Sequence, residues 1–451
     1  MKRRFYHCLF FIGLYLLPGQ LLYGQQTTPA SALRDYLQNG DTTFQFQLRD
    51  SFTVAGLRAY DFLLVSQKWR QYVWKHQLTV FSPLQNDYDG ALLYIVGGHN
   101  AKGSSQPDWH DSTDVLARRL AGMAARHHAL VVLLRQVPNE PLFNGLVEDQ
   151  IISYTFHQYQ LHRQDYSWPL LFPMVKTAVR AMDAVQLFAA RRLAHPVHRF
   201  IVTGASKRGW TTWLTGAADS RVAAIAPQVI DVVNMPVCLV HQMKAYGGYS
   251  VEIQDYVNLG IVQGMDSPSG KALVQMIDPY SYRAQLALPK LIAIGTNDPY
   301  WVIDNVKNYL PGLPGYHALN YTPNAGHDLD DGRVFFPALD AFFGSILQRA
   351  GFPDCQWTVH PEAKGLQLVV DASSDQLIGA EVWSAHAPGK DFRKAEFQRK
   401  TISDSSHIAL FEPYPETGYL AFYVALTYRN PHGKPYQVCT RAFMLGEKGL
   451  L

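Results

Sequence analysis

The chain has 451 residues, 47% hydrophobic and 17% charged, which is too long for one ordinary core and too evenly mixed for a disordered or collagen-like chain. Its formal charge of +3 rests on Lys2, Arg3 and Arg4, and the remainder is balanced. A neutral body carries no basic footprint for nucleic acid or for an anionic membrane surface.

In chain order, the basic start leads into an apolar run over 8–17, broken by Pro18 and Gly19. Leu22-Tyr23-Gly24 then offers a cleavage site before Gln25. The run is shorter than the ~20 residues that span a bilayer. Residues 1–24 therefore read as a signal peptide, and the protein as periplasmic or secreted, with no transmembrane anchor after cleavage. Residues 25–75 mix helix-like and strand-like pieces around Trp69 and Trp74. A strand rhythm starts at 76–81. Continuous apolar runs follow at 91–96, 129–134, 197–202, 223–230 and 291–294. Runs apolar on both faces suit strands buried in a parallel sheet.

Helical patterns fall between them. One covers 113–126, with Ser112 or Thr113 as its cap. Another covers 173–193, with Met174, Ala178, Met182, Val185 and Phe188 on one stripe. Two more cover 209–218 and 336–348, the last with Pro337 in its first turn, where proline is tolerated. The alternation predicts a doubly wound, mostly parallel α/β sheet over 25–351. The stretches 139–170 and 232–288 break the rhythm and predict lid insertions. Past Phe352 only short strand-like pieces remain, at 366–370, 381–383, 420–428 and 436–444. They predict a small β-sandwich domain over 352–451.

The sharpest local feature is Thr203-Gly204-Ala205-Ser206-Lys207-Arg208-Gly209-Trp210. A strand runs into glycine, then serine, then a helix, the tight turn on which an α/β-hydrolase presents its nucleophile. Arg208 stands where G-x-S-x-G has its second glycine, and Gly209 comes one place later. A phosphate loop fails, because Trp210 occupies its lysine position. A plain strand–turn–helix joint is the alternative.

Chain order adds to the catalytic reading. Asp298 follows the strand at 291–294, and His327 lies in Asn324-Ala325-Gly326-His327-Asp328. Ser206, Asp298, His327 is the triad order of this fold. Asp231, at another strand exit, is the alternative acid. The N–H of Lys207 and the loop of Gly98 and His99 are candidate oxyanion donors. Trp168, Tyr300 and Trp301 are candidate pocket walls. The acids Asp108, Asp111 and Asp114, with His110, form a cluster that could hold a cation but better suits a helix start, where acids are favourable. The chain has no H-E-x-x-H and no G-x-G-x-x-G in a βαβ context, so neither metal nor cofactor is expected. Cys238, Cys355 and Cys439 follow the leader; export permits one bridge, Cys355 to Cys439, and buried free thiols fit equally.

These segments together resemble the PhoPQ-activated pathogenicity-related proteins, a bacterial α/β-hydrolase-like family with exported members. The resemblance is carried by Trp74-Lys75-His76, Gly97-Gly98-His99-Asn100, Leu134-Arg135-Gln136-Val137-Pro138-Asn139 and Trp168-Pro169-Leu170-Leu171. Arg180-Ala181-Met182-Asp183, the Ser206 segment, Ile230-Asp231-Val232-Val233-Asn234-Met235 and Gly295-Thr296-Asn297-Asp298 extend it. The tail resembles the family in layout alone. The family pattern itself carries Ser-Lys-Arg-Gly, which accounts for Arg208. The resemblance implies a hydrolase fold with a serine site and leaves the substrate open. The pattern G-x-S-[KR]-x-G is also similar to that of glucuronoyl esterases, which cleave sugar-acid esters.

The expectation is an exported serine hydrolase of a small-molecule or polymer-borne ester or amide, working through an acyl-enzyme. The alternative is a catalytically silent, hydrolase-like binding or signalling protein. An adhesin would need exposed aromatics on the sandwich, with Trp357 and Trp383 the candidates. Nothing in the sequence sets an oligomeric state.

Overall fold

A computed structural model describes residues 26–402 and 406–451, so the leader expected at 1–24 lies outside the described residues. A short helix α1 (Ala32–Leu37) precedes three antiparallel strands, β1 (Gln45–Val54), β2 (Leu57–Trp69) and β3 (Tyr72–Ser82). Sequence reading left this region mixed. The reason is physical: β1 is an edge strand exposed along most of its length, so it carries no apolar rhythm.

Alternation then begins, with β4 (Gly90–Ile95), α2 (Val115–His127), β5 (Leu130–Leu134), α3 (Glu148–Leu161), α4 (Leu171–Arg192) and β6 (Arg199–Ala205). It continues with α5 (Lys207–Ala218), β7 (Val222–Gln228), α6 (Met235–Tyr246), α7 (Gln254–Asn258) and α8 (Pro268–Ile277). The last elements are β8 (Lys290–Gly295), β9 (His317–Thr322), α9 (Leu329–Gly332) and α10 (Phe335–Leu347). The strand order is β1-β2-β3-β5-β4-β6-β7-β8-β9. Strands β4 to β9 run parallel, and β3 joins β5 antiparallel. Without β1, this is the strand order of the α/β-hydrolase fold.

Every residue of β4, β5 and β8 is buried, which is why they read as unbroken apolar runs. On one side of the sheet, α4 and α5 contribute Phe172, Val185 and Trp213 to one core layer. On the other, α2 and α10 contribute Leu120, Leu339 and Phe342 to a second. Helix α2 is capped by Asp114 rather than Ser112 or Thr113. The Asp114 carboxylate accepts the Ala117 N–H at 2.7 Å, an interaction that stabilises a helix by ~1 kcal/mol. The two interruptions of the rhythm hold helices: α3 in the first, α6 to α8 in the second.

After α10 only strands remain: β10 (Cys355–Pro361), β11 (Gly365–Ala372), β12 (Leu377–Ala387), β13 (Gln398–Ile402) and β14 (His407–Pro413). Then come β15 (Tyr419–Arg429), β16 (Pro435–Cys439), β17 (Phe443–Gly446) and β18 (Gly449–Leu450). Strands β10-β11-β14 form a three-stranded sheet. Its Leu366, Leu368 and Val370 share a core with Val382, Val424 and Leu426 of the other strands, which makes a sandwich. The second sheet is continuous with the parallel one, because β16 pairs with β9 at Cys439 and Leu319. Trp357 and Trp383 pack against the core instead of forming an exposed strip. Cys238, Cys355 and Cys439 are all unbridged.

Candidate active site

Ser206 occupies the turn between β6 and α5 with φ 58° and ψ −124°. A non-glycine residue held there costs roughly 1–3 kcal/mol and persists only where its surroundings over-determine it. Two of those surroundings are glycines. A Cβ on Gly204 would stand 2.8 Å from Arg208 Cβ, and one on Gly209 would stand 2.9 Å from the Gln228 carbonyl. The crowding thus falls at Gly209, one place later than in G-x-S-x-G, and position 208 is free to carry a long side chain.

That side chain has a distinct path. The Arg208 guanidinium donates to the Val137 carbonyl at 2.6 Å and, through both terminal nitrogens, to Glu148 at 2.5 and 2.8 Å. It fills the place where a Cβ of Gly97 would be, 2.0 Å from Nη2. Arg208 therefore links the serine turn, the glycine loop after β4 and the start of α3. Burial pushes the Glu148 carboxyl up, but Arg208 and then Lys207 outweigh it and hold Glu148 low. Glu140, fully buried, is raised by that burial and by the charge of Glu148. Arg208 and Glu148 lie 60 residues apart along the chain, so no local pattern announces their pairing.

Strand β8 delivers Asp298 and the turn after β9 delivers His327. A Cβ on Gly295 would stand 2.3 Å from the Gly326 carbonyl, so the absence of a side chain lets the two loops meet. His327 Nδ1 lies 2.8 Å from Asp298 Oδ2, and Asp298 Oδ1 accepts the Tyr300 N–H at 2.9 Å. The Tyr300 ring covers the imidazole at a centroid distance of 4.3 Å. His327 Nε2 is buried and has no hydrogen-bond partner within the protein. It lines the same cavity as Ser206 and Lys207.

The other sequence candidates separate cleanly. Asp231 does not reach His327; it accepts the Tyr309 hydroxyl and is buried. That burial pushes its carboxyl up to about 7. Lys207 turns its ammonium to Asp149 at 2.7 Å and Glu148 at 3.2 Å. Gly98 has φ 119°, and His99 Nε2 sits 3.6 Å from Glu140; neither lines the cavity. Pairing of Ile95 with Gly204 carries the glycine loop alongside Ser206. Tyr300 and Trp301 line the cavity. Trp168 does not: it lies against Arg70, Phe143 and His162, and its expected role as a wall is corrected. Asp114 is spent as a cap and Asp111 accepts from Thr113.

The tail also enters this region. Asn297 donates to the carbonyls of Phe392 at 3.1 Å and Ala395 at 2.7 Å. Asn324 exchanges hydrogen bonds with the Phe397 backbone at 2.7 and 3.0 Å. The loop between β12 and β13 thus grips the acid loop and the histidine loop.

Strand order and turn define a protein of the α/β-hydrolase class. Within that class, the chain belongs to the family of PhoPQ-activated pathogenicity-related proteins, whose family model matches residues 33–393. Autocrine proliferation repressor protein A of Dictyostelium discoideum is 32% identical to it over 329 residues, 70% of this chain and 64% of that protein. The matched part is thus less than two thirds of that relative's length. Among solved structures, acetyl xylan esterase 1 of a Thermoanaerobacterium species is similar at 16% identity and TM-score 0.47, over 72% of this chain and 95% of that one. An S-formylglutathione hydrolase of Agrobacterium tumefaciens is similar at 12% identity and TM-score 0.43, over 68% of this chain and all of that one.

Proposed function

We propose that the chain is a serine hydrolase that cleaves a carboxylic ester or amide through an acyl-enzyme on Ser206. One observation carries the reading. The imidazole of His327 is tied to Asp298 by Nδ1, and its Nε2 is left unpartnered on the wall that also bears Ser206. A proton on Nδ1, held by the carboxylate, leaves the lone pair of Nε2 free to accept the serine hydroxyl proton. Ser206 Oγ then attacks the carbonyl carbon. The N–H of Lys207, first residue of α5, is the proposed first donor to the forming oxyanion, supported by the helix N-terminus. The glycine loop is the proposed source of a second donor. His327 passes the proton to the leaving group, and water reverses the steps to free the acid. No described helix is long and apolar enough to cross a membrane; with the sequence reading of the leader, we place this activity in the periplasm or outside the cell.

A second reading draws on the relative named as a proliferation repressor: a signalling protein on a hydrolase fold that no longer catalyses. One experiment separates them. A fluorophosphonate probe labels the wild type and leaves Ser206→Ala unlabelled if the serine is a nucleophile. Equal labelling of both proteins, or of neither, removes the catalytic reading.

A further inference from the structure

The cavity in front of Ser206 is walled by apolar side chains of the two insertions: Phe156 of α3, Val232, Leu239 of α6, Ile261, and Leu273 and Ile277 of α8. Its polar lining groups are already spent on one another or on backbone. Tyr256 donates its hydroxyl to Asp149 at 2.8 Å, and Lys207 pairs with the same carboxylate at 2.7 Å. The Tyr300 hydroxyl also turns to Asp149, at 3.4 Å. Trp210 donates to the Ile277 carbonyl at 2.6 Å and Trp301 to the Val229 carbonyl at 3.2 Å. The Cys238 thiol points to the Val233 carbonyl at 3.0 Å. Among the described lining side chains, the Ser206 hydroxyl and His327 Nε2 are the polar atoms without a partner in the protein.

A sugar hydroxyl or a uronic carboxylate entering this chamber would lose its water against mostly apolar walls whose polar groups are already engaged with one another, which is costly. A hydrocarbon chain loses nothing of that kind and gains burial. Resting on the serine-hydrolase reading, we propose that this chamber is an acyl pocket and that the substrate is an ester of an aliphatic carboxylic acid. In that reaction the acyl carbon bonds to Ser206 Oγ, the C–O bond of the ester breaks, and the alkoxide leaves as an alcohol with the proton carried by His327. The chain lies in the chamber until water releases the acid.

The test uses p-nitrophenyl esters from acetate to decanoate, with the methyl ester of glucuronic acid as the polar competitor. Expected is a kcat/KM that rises about fourfold per methylene beyond acetate until the chamber is filled. Leu239→Phe and Ile253→Phe, which narrow the chamber, move the optimum to shorter chains. A flat or falling series, or faster turnover of the uronate ester, overturns the proposal while fluorophosphonate labelling leaves the serine-hydrolase reading intact. A second measurement does not need turnover: calorimetric binding of decanoate to Ser206→Ala. Saturable binding supports the pocket even where the catalytic reading has failed, and its absence overturns the pocket whatever the kinetics.

Discussion

At the scale of single residues, the site turns on which of two buried aspartates serves the imidazole. Both leave the end of a strand, and nothing in their spacing separates them. What does is Tyr309, which lies 78 residues beyond Asp231 and donates its hydroxyl to that carboxylate. Triad order in the sequence points to Asp298, and it is Asp298 that lies within hydrogen-bond reach of His327, at 2.8 Å. Asp231 has a consequence for stability instead. Its folded pKa of about 7 lies above the ordinary aspartate value of about 4. The folded state therefore holds the proton more tightly than the unfolded chain. Stability is fully present below about pH 4 and is lost as pH rises to about 7, by an amount on the order of a few kcal/mol. Denaturant titrations across that window are expected to show the decline in the wild type and a flatter profile in Asp231→Asn, with fluorophosphonate labelling of Ser206 unchanged from the wild type. An equally steep profile in the variant would assign the slope to other groups.

At the scale of elements, legibility followed burial. Strands β4, β5 and β8 are buried at every residue and stood out in the sequence. Helix α3 did not, because Ser153 and Thr155 interrupt its buried face beside Ile151, Ile152 and Phe156. The serine turn was visible, but the reason for its odd spacing was not. It lies in Arg208, whose fork reaches from α5 to α3 beneath the loop after β4. Lysine keeps the charge there but loses the planar fork. Arg208→Lys is accordingly expected to lower kcat/KM on the order of 10–100-fold, by loosening the glycine loop against Ser206. Steady-state kinetics with a thermal melt will check this. A variant with a lowered Tm and unimpaired kcat would make the arginine a purely structural brace.

At the scale of the whole molecule, the tail was readable as a run of strands, but its bearing on the site was not. The hydrogen bond from Asn297 to Ala395 spans 98 residues, and those between Asn324 and Phe397 span 73. Asn297 is the neighbour of Asp298, and Asn324 lies three residues before His327. Loss of either amide frees a loop that must hold its side chain within about 0.5 Å of a productive pose. Asn297→Ala and Asn324→Ala are expected to reduce kcat more than they raise KM, with far-ultraviolet circular dichroism unchanged. A rise in KM alone would mean that these amides shape substrate entry and not the pair behind it.

The grip of residues 392–397 limits how this architecture can be rearranged. By position those residues belong to the tail, yet their carbonyls serve side chains that belong to the parallel sheet. A shuffled gene that attached a different sandwich after residue 351 would preserve Ser206, Asp298 and His327 in its sequence and still lose the contacts that hold the loops of Asp298 and His327. Recombination at the apparent seam would therefore cut through these contacts rather than between two independent modules.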